Sequence, residues 1–224
     1  MPDVRRMVDV TLGTFLAVVT LPLVLVTAVA AAVALRSWPF FVQERVGLNG
    51  RTFRFVKLRT LPRGAPKYVD KYSVQAMEIP SICRWLRAMH LDELPQLWLV
   101  ITGRMSLVGP RPEMAFLHAR LDRDFARRRT AVKPGCTGMW QISAHSESMI
   151  FEHPEFDEYY LRNRTAFLDA WILVSTLGLM LPGRNRRLVS LAAFDERVTL
   201  PPTAVPSPIV VSVRAERQLE PAEA

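Results

Sequence analysis

Two adjacent carboxylates, Asp92 and Glu93, stand immediately before Leu94-Pro95, at the start of a segment that reads as a helix. Free N–H groups and the positive end of the helix dipole stabilise the ionised form there. Two readings follow. Asp92 can be no more than an N-cap, or the pair can divide labour, one ionised oxygen attacking phosphorus while the other carboxylate holds a divalent cation. Mg²⁺ is the favoured metal, because carboxylate oxygen is hard and phosphate oxygens can complete its octahedral shell. Basic residues suited to such chemistry occur on both sides. Gly109-Pro110-Arg111-Pro112 fixes the backbone around one arginine and forces Arg111 into an extended conformation, either aimed at a phosphate or solvated in a turn. Lys57 and Arg59, two apart in a strand pattern, share a face and can clamp a second phosphate or simply solvate an edge. His90 and His145 lack a partner at ligand spacing, which favours structural roles. Trp140, in a strand pattern, reads as core before it reads as a base-stacking platform.

These residues need a scaffold, and 224 residues suffice for one catalytic domain with appendages. The formal net charge of +8, mostly from arginine, suits phosphorylated substrates, anionic lipid head groups or nucleic acid, and charge alone does not separate them. Cys83 and Cys136 are the two cysteines, far apart and without metal-ligand spacing, a pattern of a reducing compartment and of core filling.

From Val10 to Leu35 no charged residue occurs, a run long enough to cross a hydrocarbon core of roughly 30 Å. It exceeds the apolar stretch of a cleaved signal and is followed by Arg36-Ser37-Trp38-Pro39, a poor cleavage site. Pro22 near its middle removes a helical hydrogen bond and predicts a kink, with the Thr20 hydroxyl available to a freed carbonyl. Arg5 and Arg6 precede the run and Arg36 and Arg45 follow it, so the positive-inside bias leaves a kinked span and a re-entrant hairpin equally open. A segment so apolar also argues against nucleic acid as the partner.

Residues 37 to 62 alternate as a hairpin around Gly47-Leu48-Asn49-Gly50, and Leu61 to Tyr72 reads as a mobile surface loop. Ser81 to Arg87 predicts a helix with Ile82, Trp85 and Leu86 on one face. Pro95 and Gly103 bracket another, apolar on every side, that must be buried in protein or touch lipid. Met114 to Arg129 predicts a further helix, Met139 to Ile142 a short strand, and Phe156 to Leu181 a long helix. The second half of that last helix fits either a core or an amphipathic helix at a membrane surface. After Arg184 the sequence turns Pro-rich and charged, the composition of a poorly ordered tail.

The blocks QERVGLNGRTFRFVKLRT (43–60), LRAMHLDELPQLWLVITGRMSLVGPRPE (86–113), VKPGCTGMWQIS (132–143) and FDEYYLRNRTAFLDAWILVST (156–176) together resemble the bacterial sugar transferase family, the monotopic polyprenyl-phosphate phosphoglycosyl transferases. The resemblance implies an α+β fold. Its parts would be a kinked re-entrant membrane helix over residues 1–36, broken at Pro22; a mainly helical catalytic domain over 37–183 with a small β-hairpin and interfacial amphipathic helices; and the tail, 184–224. It implies the inner (cytoplasmic) membrane of a bacterium, with the catalytic domain on the cytoplasmic face. The implied reaction passes a sugar 1-phosphate from a UDP-sugar to a polyprenyl (undecaprenyl) phosphate and releases UMP, initiating a cell-surface glycan or exopolysaccharide that downstream glycosyltransferases extend. Asp92 falls at the nucleophile position and Glu93 at the position that holds Mg²⁺. Lys57, Arg59, Arg87 and Arg111 match positions compatible with phosphate binding, and Asp157 falls in a segment near the active site. The chain departs from the family at Leu99, where Asn is usual, and at Ser143-Ala144-His145, where Ser-Gly-Arg is usual, so His145 would stand in for an arginine in substrate binding. Two further classes fit the same residues: a membrane-tethered binding or scaffold protein without turnover, and a metal-dependent phosphohydrolase using the carboxylates on water.

Overall fold

A computed structural model of the protein describes residues 4–68, 71–75 and 77–180. It is a mixed helical and β structure. The expected hairpin is present: β1 (Phe40–Val46) pairs antiparallel with β2 (Thr52–Leu58), Phe40 opposite Leu58 and Val46 opposite Thr52. Its turn places Asn49 at φ 54° and Gly50 at φ 74°, the left-handed region that Asn and Gly tolerate best. The loop expected over Leu61–Tyr72 ends earlier than that, because a short helix, α2 (Lys71–Gln75), takes in its last two residues.

Helix α3 (Ser81–Ala88) forms where expected. Cys83 and Leu86 are buried, Leu86 against Ala31 and Leu91, whereas Ile82 and Trp85 point outward. The acidic pair lies in a 3-10 turn (Leu91–Gln96) that runs into α4 (Leu97–Ile101). Pro95 has no N–H to return to Leu91, so an α-helix cannot start cleanly there. His90 caps the turn from a left-handed conformation, φ 54°, and no side chain caps it. Asp92 is therefore not an N-cap. Gly103, at φ 79°, ends the unit as its position suggested.

Three expected elements are shorter or elsewhere. Met114–Arg129 divides into α5 (Ala115–His118) and α6 (Arg123–Thr130), because the Asp122 carboxylate accepts the amides of Asp124 and Phe125, both at 3.0 Å, and caps a new helix. Phe156–Leu181 divides into α7 (Glu155–Arg162) and α8 (Ala166–Met180), with Thr165 Oγ1 accepting the Leu168 amide at 3.1 Å. The strand expected at 139–142 is a turn, in which Ser143 N bonds Trp140 O at 3.1 Å. Extended pairing occurs instead one step earlier, between β3 (Ser106–Val108) and β4 (Gly135–Thr137), which run parallel.

That pairing depends on glycine. A Cβ on Gly135 would lie 2.1 Å from Gly109 N, and one on Gly138 would lie 2.2 Å from Gly109 O. Two backbones in direct contact leave no room for a side chain. Around this crossing lies the main core, with Phe55, Val100, Met105, Leu107, Met139, Trp140, Ile142, Tyr160 and Ile172 among its buried members.

Helix α1 runs from Val4 to Leu35 with Pro22 inside it. Its first half lays Leu12, Leu16 and Ala17 on the main core and Gly13 on Val100. Its second half buries Ala31 with Leu86 and Leu91. Between these contacts, Val18, Val19, Leu21, Leu23, Leu25 and Val26 are exposed. Thr20 donates to Leu16 O at 2.7 Å, so its hydroxyl does not serve the Val18 carbonyl that Pro22 leaves unpaired. The expected tail, 184–224, lies outside the described residues, as do residues 181–183.

Because the β3–β4 crossing leaves no space at Gly135, Gly135→Ala should destabilise the protein by about 1–3 kcal/mol, the usual penalty of overpacking. Thermal unfolding of the detergent-solubilised protein measures this, and an unchanged midpoint would contradict the close approach.

Candidate active site

The site forms where β2, the end of α3, the 3-10 turn and the 109–112 loop meet. Asp92 is 4% exposed. Burial pushes its carboxyl up, Lys57 pulls it back down, the neighbouring Glu93 charge raises it again, and Arg87 and His90 lower it. Lys57 feels the mirror image. Burial lowers its ammonium to about 8, while Asp92 holds it up and Arg87 presses it down. Lys57, Arg87, Asp92 and Glu93 thus share one electrostatic field. Arg87 is itself oriented by a hydrogen bond from Nη1 to the buried Thr60 Oγ1 at 3.3 Å.

Glu93 has a different partner. Arg111 grips it with both ends of its fork, Nη1 to Oε2 at 3.0 Å and Nη2 to Oε1 at 2.5 Å. Burial opposes ionisation of Glu93, but the charge and hydrogen bonds of Arg111 outweigh it and hold the carboxyl well below the usual range. The same pairing raises Arg111 above its ordinary value in spite of burial.

Arg111 is held from several directions. Pro110 O accepts from Gly135 N at 2.9 Å, and Gly109 N donates to Thr137 O at 2.9 Å. Arg129 Nη2 donates to Arg111 O, and Arg45 Nη1 donates to Pro112 O at 2.9 Å. Arg129 is in turn fixed by Asp157, Nε to Oδ2 at 2.7 Å, with both side chains almost fully buried. Arg45 is steadied by Gln43 at 2.9 Å and by Glu113 at 3.7 Å, and burial lowers it to about 10.

The remaining sequence candidates lie further out. Arg59 stacks over Phe41 at 5.5 Å beside Lys57 at 5.8 Å, so the two do share a face, and it donates to Trp38 O at 3.2 Å. Asp157 acts through Arg129 and does not join the carboxylate pair. His145 is exposed, and its ring lies 3.8 Å from that of His153 and 5.7 Å from Phe156. Trp140 is core, and Pro22 sits in the exposed middle of α1.

Three residues that hold the site, Arg45, Arg129 and Thr60, were not singled out from the sequence for that role, nor was Asp9, which accepts from Ser106 and Leu107 in β3 just before the Arg111 loop. Strand alternation could have shown Arg45 on the inner face with Gln43. Helical phase could have set Arg129 on the face of Phe125, four residues earlier. A lone carboxylate one residue before a charge-free apolar run was the available signal for Asp9.

Among the described residues, no group of three or more His, Cys, Asp or Glu is placed to hold a metal ion. Asp92 and Glu93 offer a two-carboxylate set. An ionised carboxylate has about four lone-pair sites, so Glu93 keeps acceptor capacity while Arg111 binds it. That set suits Mg²⁺, which commonly takes one or two carboxylates and completes its shell with water and phosphate oxygens.

Residues 2–183 match the family model described as bacterial sugar transferase. A protein of Aeromonas hydrophila named UDP-N-acetylgalactosamine-undecaprenyl-phosphate N-acetylgalactosaminephosphotransferase is 32% identical over 175 residues, 74% of this chain and 41% of that protein. The UDP-galactose-lipid carrier transferase of Erwinia amylovora is 35% identical over 64% of this chain and 33% of its own length. The uncharacterized sugar transferase EpsL of Bacillus subtilis is 34% identical over 77% of this chain and 85% of its own. The chain thus spans well under half of the first two relatives and most of the third. With the matched region taking in the carboxylate pair, the Arg111 loop and the apolar helix alike, the chain belongs to the bacterial sugar transferase family.

Proposed function

We propose that the protein transfers a sugar 1-phosphate from a UDP-sugar to a polyprenyl phosphate, with release of UMP and a covalent aspartyl-phosphosugar intermediate. The observation that carries this is the division of labour within one dipeptide. Asp92 is buried, desolvated and free of any ion pair of its own, whereas Glu93 is ionised and clamped by Arg111. A desolvated carboxylate beside compensating cations is a competent nucleophile. The names of the Aeromonas and Erwinia relatives, which specify UDP-sugars and lipid carriers, support the same donor and acceptor.

In the first step an Asp92 oxygen attacks the β-phosphorus. The bond from that phosphorus to the oxygen bridging the α-phosphate breaks, and UMP departs. In the second, a phosphate oxygen of the polyprenyl phosphate attacks the same phosphorus, the bond to Asp92 breaks, and the carboxylate is restored. Lys57, Arg87 and Arg111 gather on the side where negative charge accumulates and serve as phosphate binders. Arg59 extends this cationic edge along the strand. Asp157 secures the Arg111 loop through Arg129, and His145 bears on the nucleotide end. Mg²⁺, bound at Glu93 with Asp92 beside it, would neutralise pyrophosphate charge.

A re-entrant α1 supports this chemistry. Both halves of the helix pack on the catalytic elements while its middle exposes only apolar side chains and Pro22. The apex would enter lipid and both ends would stay on the cytoplasmic face of the inner membrane, where UDP-sugars are found. Trp85, Trp98 and Phe167 are exposed on α3, α4 and α8 and fit an interfacial seat for these helices. The product would feed glycosyltransferases that build exopolysaccharide or another surface glycan.

Nucleophile, phosphate binding and topology each have a test. Asp92→Asn should abolish UMP release and the phosphosugar adduct on residue 92 seen by mass spectrometry after incubation with UDP-sugars, since an amide does not attack as a carboxylate does; near-normal release would refute the nucleophile. Phosphate release without a lipid acceptor would indicate hydrolysis instead. Turnover should fall as pH rises through about 8, where Lys57 loses the proton that lets it bind phosphate. Lys57→Arg, whose guanidinium stays charged, should carry activity to higher pH. Finally, a cysteine placed near Met1 should label from the cytoplasmic side; labelling only from the periplasm would rule out re-entry.

A further inference from the structure

Asp9 is a carboxylate only 6% exposed, at the head of a charge-free run in the membrane helix. Among the described residues it shares no hydrogen bond or ion pair with the acidic pair. Its oxygens instead accept the Ser106 hydroxyl, at 3.0 and 2.8 Å, and the Leu107 amide, at 2.9 Å. Strand geometry explains why. Ser106 N faces β4 and donates to Pro134 O at 2.8 Å. Successive amides point to opposite edges of a strand, so Leu107 N faces the edge that has no neighbouring strand among the described residues. The Asp9 carboxylate takes the place of that neighbour.

One turn earlier, Arg6 donates to Val100 O at 2.6 Å and Ile101 O at 2.7 Å, the last carbonyls of α4. Its guanidinium also fills the space over Gly103, 3.2 Å from where a Cβ would stand. Arg5 pairs with Asp169 at 2.8 Å; Asp169 accepts from Tyr160 at 2.9 Å, and the same hydroxyl reaches Val108 O at 3.3 Å. Three consecutive residues of β3, Ser106 to Val108, are therefore tied directly or through Tyr160 to the first two turns of α1. The chain then enters Gly109-Pro110-Arg111 with almost no freedom, because both prolines fix φ.

We propose that Arg6 and Asp9 are positioning residues for the transfer reaction. Asp9 locks β3, and Arg6 the end of α4, to the membrane helix, so that the seating of α1 sets the aim of Arg111 on Glu93. The inference rests on the transferase reading above. A small displacement of such a clamp acts on the transition state more than on donor binding, and misplacement of about 1 Å can lower rates about 10²-fold.

The test uses the full chain in nanodiscs with polyprenyl phosphate and the UDP-sugar that gives UMP release with the unmodified protein. Asp9→Leu should lower kcat about 10²-fold with KM for the donor little changed, and should speed hydrogen exchange across residues 105–112. Asp9→Asn keeps a carbonyl oxygen for the Leu107 amide and should recover most of both. Thr27→Ala removes a hydrogen bond internal to the same helix and should leave kcat unaltered. Wild-type kcat and exchange in Asp9→Leu, or an equal loss in Thr27→Ala, would overturn the proposal. Should Asp9→Leu fail to fold, Ser106→Ala decides: a loss of kcat of about tenfold supports the lock and no loss refutes it. If the unmodified protein releases no UMP with any donor, the transferase reading fails, while the exchange comparison still decides whether Asp9 orders the Arg111 segment.

Discussion

The bidentate pair between Arg111 and Glu93 is the interaction on which the site depends. Two adjacent carboxylates removed from water repel each other, and burial already pushes Asp92 towards its protonated form. Were Glu93 unpaired, its charge would fall on Asp92 with little screening. The Arg111 fork neutralises that charge, and Lys57 and Arg87 offset what remains on Asp92. Such a pair, with both side chains still 19% exposed, is not an efficient source of stability, because each ion has given up much of its water to form it. The arrangement spares Asp92 the field of an unpaired neighbouring charge.

Arg111 can do this only if its backbone is immobile, and most of the unusual chemistry outside the site serves that end. Glycines at 109, 135 and 138 let two backbone segments touch. Buried Arg129 and Arg45 then hold the carbonyls of Arg111 and Pro112 from the two sides of the loop. Each of these arginines has a buried carboxylate of its own, Asp157 and Glu113. Polar groups this far from water must be paired, so every cation recruited to hold the loop requires an anion behind it. That rule accounts for Asp157, which the family resemblance places near the active site and which the structure shows acting one arginine removed from it.

What the sequence made legible divides along a physical line. Local signals were readable: the Asn49-Gly50 turn, the alternation of the hairpin strands, the end of α4 at Gly103 and the double-proline frame of Arg111 all depend on near neighbours. Signals that required a distant partner were not. The break between α5 and α6 turns on Asp122 being a cap, which composition alone does not distinguish from a charged residue on a continuous helix. The strand expected at Met139–Ile142 is hydrophobic because it is core, while the paired residues are Gly135–Thr137, a run of three residues too short and too weakly patterned to stand out, whose glycine lets the backbone approach Gly109. Hydrophobic pattern treats lipid and protein interior alike, so the shared face of Ile82, Trp85 and Leu86 does not say which of them is buried: Leu86 is, and Ile82 and Trp85 are exposed.

That ambiguity bears on α1 most of all. A run this apolar reads as a helix surrounded by lipid, yet its two halves touch different parts of the catalytic unit: the main core through Leu12, Leu16 and Ala17, and the small cluster of Leu86 and Leu91 through Ala31. Leu91 immediately precedes Asp92, and Val100, against which Gly13 packs, lies in the helix that follows Glu93. The apolar helix therefore forms one wall of the segment that carries the acidic pair, and the low dielectric that raises Asp92 is in part its contribution. Apolar helix and candidate site are not separable modules here: the helix long and apolar enough to cross a membrane also contributes to the burial that raises Asp92.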